Sequence, residues 1–220
     1  MMTTQNTTAP FYLAASYTIG TYILPGEAID YLTEKTNCQM RLNINSCDKI
    51  IEGIKEGKFN LGFIESPIFD SELVYQEWQG DELIVCSKTK LPKSLNREAL
   101  AHYKLICRDE ASPTRSLIVD FLEKFDLSYE SFKSLLEINN ATAAIQSVKW
   151  SKPNLQNPTV AIVSNLAIED ELKHNELFQS RIYNQPIQRK FYIVTTKANE
   201  RDPVIKSIID GFLEEKRAVS

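Results

Sequence analysis

The apolar positions of this chain switch repeatedly between two spacings, and each switch falls at a polar turn. Phe11 to Ala15 is an apolar run of strand length, after which Ile23, Leu24, Ala28, Ile29 and Leu32 recur at helical intervals. Gln39 to Asn45 alternates, with Met40, Leu42 and Ile44 on one side, as a half-buried strand does. Asn45-Ser46-Cys47-Asp48 supplies helix-starting residues, Ile50, Ile51 and Ile54 mark an amphipathic helix, and Gly57 stops it. Leu61 to Ile64 is another apolar strand, ending at Glu65-Ser66-Pro67. Strand, helix, strand, helix, strand predicts a βαβαβ unit on a parallel sheet.

The pattern then breaks and resumes. Leu73 to Gln79 and Glu82 to Ser87 read as two strands separated by Gly80, and Asn96 to Ala101 as a polar helix after Leu91-Pro92. A second series follows: a strand at Lys104 to Cys107, a polar turn from Arg108 to Arg115, and a helical stripe of Leu117, Ile118, Phe121, Leu122 and Phe125. Leu135 to Ile138 is a strand, Asn139-Asn140-Ala141-Thr142 starts a helix through Ile145 and Val148, and Trp150 to Pro158 is a loop. Val160 to Val163 is a strand ending at Ser164-Asn165, Lys190 to Thr196 is the last strand, and Pro203 opens the last helix. Two tandem α/β units, with the final strand and helix returning to the first, predict two lobes joined by two strands with a cleft between them. The expected division is residues 11–87 with 190–220 in lobe I and 88–189 in lobe II, residues 1–10 forming a polar, disordered leader or the edge of a segment cut from a longer chain.

Charge and composition narrow the function. With 25 basic and 29 acidic residues the net charge is −4, and no basic run stands out, which argues against nucleic-acid binding by this chain's own surface. The longest apolar runs are strand-length, too short for a membrane span, and the N-terminus lacks the charged start and apolar core of a secretory signal. The four cysteines, Cys38, Cys47, Cys86 and Cys107, form no C-x-x-C pair and the two histidines are isolated, so no metal site is expected. Free thiols and a cytoplasmic setting are the expectation.

In open α/β sheets, ligands sit off the carboxyl ends of the strands. Ser16 and Thr18 fall where the first strand turns into a helix, and the first N–H groups of a helix have no internal partner. With the helix dipole they favour an anion, and neighbouring hydroxyls add donors. The second series repeats the device: Ser112 and Thr114 stand at a helix start in Arg108-Asp109-Glu110-Ala111-Ser112-Pro113-Thr114-Arg115. The plainer readings are helix caps and a surface pair between Arg115 and Glu110. The chain has no G-x-S-x-G, Walker A or H-E-x-x-H motif, so no enzyme and no cofactor is expected, although Glu65 and Glu110 could in principle pair.

The ordered motifs resemble the effector-binding domain of LysR-type transcriptional regulators. Ala14-Ala15-Ser16-Tyr17-Thr18-Ile19-Gly20 with Leu24-Pro25 is similar to the family's opening strand and helix, and Ser46 through Gly57 to its second helix. Asn60-Leu61-Gly62-Phe63-Ile64-Glu65 resembles a recurrent D-L-G-F-I-E strand, Asp81-Glu82-Leu83-Ile84-Val85 the first crossover strand, and Arg108 to Arg115 the R-E-x-G-S-G-T-R turn. Ala161-Ile162-Val163-Ser164 is similar to a late strand of the second lobe. The resemblance implies a type 2 periplasmic-binding-protein-like α/β fold of two Rossmann-like lobes, with a small anionic or carboxylate effector in the cleft. It also implies homodimers or tetramers, and DNA contact only through a helix-turn-helix ahead of this chain. Effector contacts carried over by position are Ser16, Thr18, Ser46 or Cys47, Ser112, Thr114 and Asn140. The branches it most resembles serve sulfur assimilation and carbon fixation. Three departures stand out: Ala111 and Pro113 replace two glycines, Cys47 stands where relatives carry a hydroxyl, and the Trp150 to Pro158 loop replaces a short glycine turn. A free-standing cytoplasmic solute-binding protein of the same fold is the alternative.

Overall fold

Elements follow one another in the order β1 (Phe11–Ala15), a π-helical turn (Ile19–Ile23), α1 (Glu27–Thr36), β2 (Met40–Ile44), α2 (Cys47–Lys55), β3 (Leu61–Ile64) and β4 (Leu73–Ser87). Then come β5 (Ser94–Leu95), α3 (Arg97–Leu100), β6 (Lys104–Arg108), α4 (Pro113–Glu123), β7 (Ser134–Ile138), α5 (Ala141–Lys149) and β8 (Thr159–Ser164). The chain ends with α6 (Glu169–Lys173), β9 (Phe178–Ile182), β10 (Ile187–Thr196), α7 (Lys197–Glu200) and α8 (Pro203–Val219). This computed structural model describes residues 9–36, 38–65 and 69–219, with side chains through residue 214. Most of the expected leader (residues 1–8) and the Ser66-Pro67 turn lie outside the described residues. Two compact units result, Met1–Gly80 with Lys190–Ser220, and Asp81–Arg189.

In the first unit β1 lies between β2 and β3 and runs parallel to both, with Leu13 opposite Leu42 and Leu61. Strand β10 returns antiparallel to β3, placing Ile193 opposite Phe63. The parallel centre is apolar on both faces, as a strand covered on both sides requires: all of β3 and all of β1 except Tyr12 are buried. One face packs on Ile50, Ile51 and Ile54 of α2. On the other, Phe63, Trp78 and Phe212 meet edge to face, with ring centroids 5.1 to 5.4 Å apart. The helix expected after β1 is interrupted: the π-helical turn ends at Leu24, and α1 starts only after Gly26, whose φ is +98°. Pro25 offers no N–H and Gly26 adopts the left-handed backbone that glycine tolerates, so the chain re-aims between two helical pieces.

In the second unit β6 lies between β7 and β8, parallel to both, and β8 runs antiparallel to β4 with Val85 opposite Ile162. Its core joins Leu105, Val160 and Ile162 of the sheet to Ile118, Phe121 and Leu122 of α4. Two expectations need correction here. The strands on either side of Gly80 are one strand, because Gly80 keeps an extended backbone and a side chain added there would meet nothing. The chain also forms β9, antiparallel to β4, from Phe178-Gln-Ser-Arg-Ile182, whose polar composition hid it. Among the described residues no helix is long and apolar enough to cross a membrane.

Burial pushes the Cys86 thiol up to about 12, so the folded chain holds that proton where the unfolded chain loses it. The associated stability is complete below about pH 9, the thiol's ordinary range, and is lost as pH rises toward about 12. Cys86 is expected to resist iodoacetamide in the native chain at mildly alkaline pH and to react in urea, as peptide mass mapping would reveal. Phe63→Ala removes the fully buried ring of the aromatic trio and should cost about 3–5 kcal/mol in a urea unfolding measurement.

Candidate functional site

Each unit brings polar residues to the carboxyl ends of its parallel strands, and the two sets differ in charge. In the first unit the ends of β1, β2 and β3 are adjacent: the Ser16 amide donates to the Phe63 carbonyl at 2.9 Å, and the Asn45 amide to the Ala15 carbonyl at 3.0 Å. Ser16 and Thr18, both buried, meet the residue that follows β3, Glu65. Its carboxylate oxygen Oε1 accepts from the Ser16 hydroxyl at 2.9 Å and from the Thr18 amide at 3.1 Å. The donors expected to greet an external anion already hold an internal one. Ser46 is the N-cap residue of α2, but its side chain makes no capping bond. Cys47 is buried in the apolar cluster that includes Ile50, Ile51, Ile54 and Ile64.

In the second unit the strand ends are Arg108, Ile138 and Ser164. Ser112 is the N-cap residue of α4, with Pro113 in the first turn; it is buried, and its hydroxyl makes no capping bond. Thr114 follows, and its hydroxyl accepts from Arg189 Nη1 at 3.1 Å. The Asn140 side-chain oxygen caps α5 by accepting from the Ala143 amide at 3.0 Å. Arg115 is also committed: it donates to the Arg108 carbonyl at 2.8 Å and to Glu137 at 2.6 Å, and lies over the Tyr129 ring. Its contact with the exposed Glu110 is long, at 3.7 Å. The bond to Glu137 raises the Arg115 guanidinium further, and burial pushes the Tyr129 hydroxyl up to about 12.

Sequence reasoning missed the most buried ion pair among the described residues. Asp81 and Arg189 pair at 2.6 Å with side chains 0% and 5% exposed, and Ser164 donates to the other Asp81 oxygen at 2.9 Å. The signal was present at Arg189, which falls on the buried phase of the alternation Ile187, Arg189, Phe191. Beside these strand ends two further atoms, Arg108 Nε and Asn165 Oδ1, are buried without a hydrogen-bond partner. One is a donor and the other an acceptor, and such atoms carry a desolvation cost that a ligand's polar groups would relieve. Removing one member of the buried pair should be severe: Arg189→Met is expected to cost about 3–5 kcal/mol by urea unfolding. Asp81→Leu combined with Arg189→Met should cost less than Arg189→Met alone, because no uncompensated charge remains.

Comparison with known proteins gives these ends a context. The model of the LysR substrate binding domain matches residues 5–217. The chain is 25% identical over 199 residues to the uncharacterized HTH-type transcriptional regulator YeiE of Escherichia coli K12, covering 89% of this chain and 65% of that protein. The chain thus spans just under two thirds of that relative's length. Among solved structures, the Synechocystis PCC6803 CcmR regulatory domain in complex with 2-PG superposes with a TM-score of 0.76 at 17% identity, over 94% of this chain and 96% of that one. The effector-binding domain of QuiR in complex with shikimate gives 0.70 at 17% identity, over 96% and 98%. The α/β architecture is the periplasmic-binding-protein-like fold of these regulatory domains. With a match over nearly its whole length, the chain belongs to the LysR substrate-binding-domain family.

Proposed function

We propose that this chain is the effector-sensing part of a longer transcriptional regulator, and that it binds a small organic anion at the strand ends of the second unit. The observation that carries the reading is that the second unit buries two polar atoms without partners at its strand ends, Arg108 Nε and Asn165 Oδ1, and also a Ser112 hydroxyl that makes no capping bond at the start of α4. A guanidinium with helix-start N–H groups suits a carboxylate or phosphate, and an amide oxygen suits a hydroxyl on the same molecule. Relatives named as regulators, and fold neighbours solved with 2-PG and with shikimate, support the class. Binding by directed hydrogen bonds needs no nucleophile and base. Both histidines lie exposed on the second unit, His174 against its own helix's Asp170 carbonyl. DNA contact belongs to a segment outside this chain, and assembly as dimers or tetramers is part of the proposal.

The test is a thermal-shift screen against small carboxylates, phosphate monoesters and inorganic anions. A ligand at about a hundred times its dissociation constant stabilises by roughly 2.7 kcal/mol, which is several degrees for a domain of this size. Ser112→Ala and Arg108→Met are each expected to weaken a hit by about 1.5–3 kcal/mol, roughly tenfold to a hundredfold. Unchanged affinity in both variants, measured by calorimetry, would remove these residues from the site.

A further inference from the structure

We propose that the second unit carries a docking surface for an acidic protein segment with apolar side chains, formed by the loop from Trp150 to Pro158 together with the turn after β4. The surface is separate from the effector site proposed above, since it lies at the opposite ends of the parallel strands β6 and β8 from Arg108 and Asn165.

Sheet register brings the two segments together. Strand β4 runs antiparallel to β8 with Ser87 opposite Val160, so the residues that follow β4 meet those that precede β8. The Asn154 amide donates to the Thr89 hydroxyl at 3.3 Å, and the Lys104 amide, at the start of β6, to the Pro158 carbonyl at 2.9 Å. The loop is also tied to itself. Asn154 Oδ1 accepts from the Gln156 and Asn157 amides at 3.0 and 2.8 Å, and the Ser151 hydroxyl donates to the Val148 carbonyl at 2.8 Å. A loop so held has little freedom left to lose on binding. Yet its two large apolar side chains are turned outward, Trp150 at 75% and Leu155 at 83% exposure. The Trp150 indole N–H already donates to Gln146 Oε1 at 2.8 Å, so what the ring offers a partner is its apolar face.

The charge around these side chains has one sign. Residues 87–95 and 148–160 hold five lysines and no acidic residue. Lys149 is neutralised by Glu171 and Glu176 at 3.4 and 2.5 Å. Lys90, Lys93 and Lys152 are exposed and make no ion pair among the described residues, and Lys133 donates to the neutral side chain of Asn157. Exposed cations around a Trp and a Leu complement a segment that alternates carboxylates with apolar residues. A phosphate backbone would meet the lysines but leave Leu155 uncovered, and the chain's net charge of −4 opposes a long polyanion.

Fluorescence anisotropy with three labelled peptides separates charge from apolar contact. The first alternates Asp with Leu and Phe, the second keeps Asp but carries Ser in place of the apolar residues, and the third keeps the apolar residues but carries Asn in place of Asp. The first is expected to bind the whole chain at least about tenfold tighter than either of the others, and to weaken as salt rises from about 0.05 to about 0.5 M. Trp150→Ala and Leu155→Ser should each weaken it about tenfold, and Lys90→Glu combined with Lys152→Glu by about tenfold or more. All four side chains are exposed, so melting temperatures should change little. No binding of the first peptide, or equal binding by wild type and variants, overturns the proposal. A short DNA duplex or phosphatidylserine vesicles binding more tightly than the first peptide, and weakened by the same substitutions, overturns the protein partner. If Trp150→Ala or Leu155→Ser lowers the sedimentation coefficient of the chain on its own, a second copy covers the loop, and the proposal falls in that case too.

Discussion

A charge buried without a partner costs more than this fold could absorb, and the second unit is arranged around meeting that constraint. Asp81 and Arg189 are its first and last residues, and they pair at 2.6 Å with almost no exposure. Both Asp81 oxygens are used, one by Arg189 and one by Ser164 at the end of β8. Arg189 also reaches Thr114 in the first turn of α4. One ion pair thus joins both ends of the unit's chain and touches two of its elements, the end of β8 at Ser164 and the first turn of α4 at Thr114. Such a pair adds little net stability over an apolar substitute, because desolvation offsets the attraction. Its value is positional: it holds Thr114 and Ser164 at set places relative to β4 and β10.

The two units solve the same local problem differently. Each has parallel strands whose carboxyl ends lead into helices, and each leaves helix-start N–H groups to be satisfied. The first unit satisfies Thr18 internally with the Glu65 carboxylate. The second uses Asn140 to cap α5, but leaves Ser112 without a capping bond and leaves Arg108 Nε and Asn165 Oδ1 unmatched. Similar topology therefore carries an acidic set in one unit and a basic, incompletely satisfied set in the other.

Much of this was legible in the residue pattern. Apolar runs at strand spacing, followed by helical stripes, give the parallel strands β1, β2, β3, β6, β7 and β8 and the helices α2, α4 and α5 within a residue or two. They do so because burial on one or both faces dictates period and length locally. The turn signals held for the same reason: Ser46, Asn96, Ser112 and Asn140 stand at N-cap positions, and Gly57 adopts positive φ after α2. Leu135 and Leu136 mark the limit of that logic. Their apolar character fits a strand, yet both are about half exposed, because β7 lies at the end of the strand order and its flanks are incompletely covered.

By itself the sequence determined the α/β class, the tandem units, the strand-to-helix junctions and the motifs that resemble the LysR effector-binding family, since each depends on residues close together along the chain. Tertiary structure alone decided which polar residues meet. Ser16 and Glu65 are 49 positions apart, Asp81 and Arg189 108, and Thr114 and Arg189 75. No local propensity encodes such pairs; they exist because strand order brings distant chain ends together where burial forces each polar group to find a partner. The candidate donors were visible in the sequence, but whether they remain open to a ligand was a matter of those long-range partners.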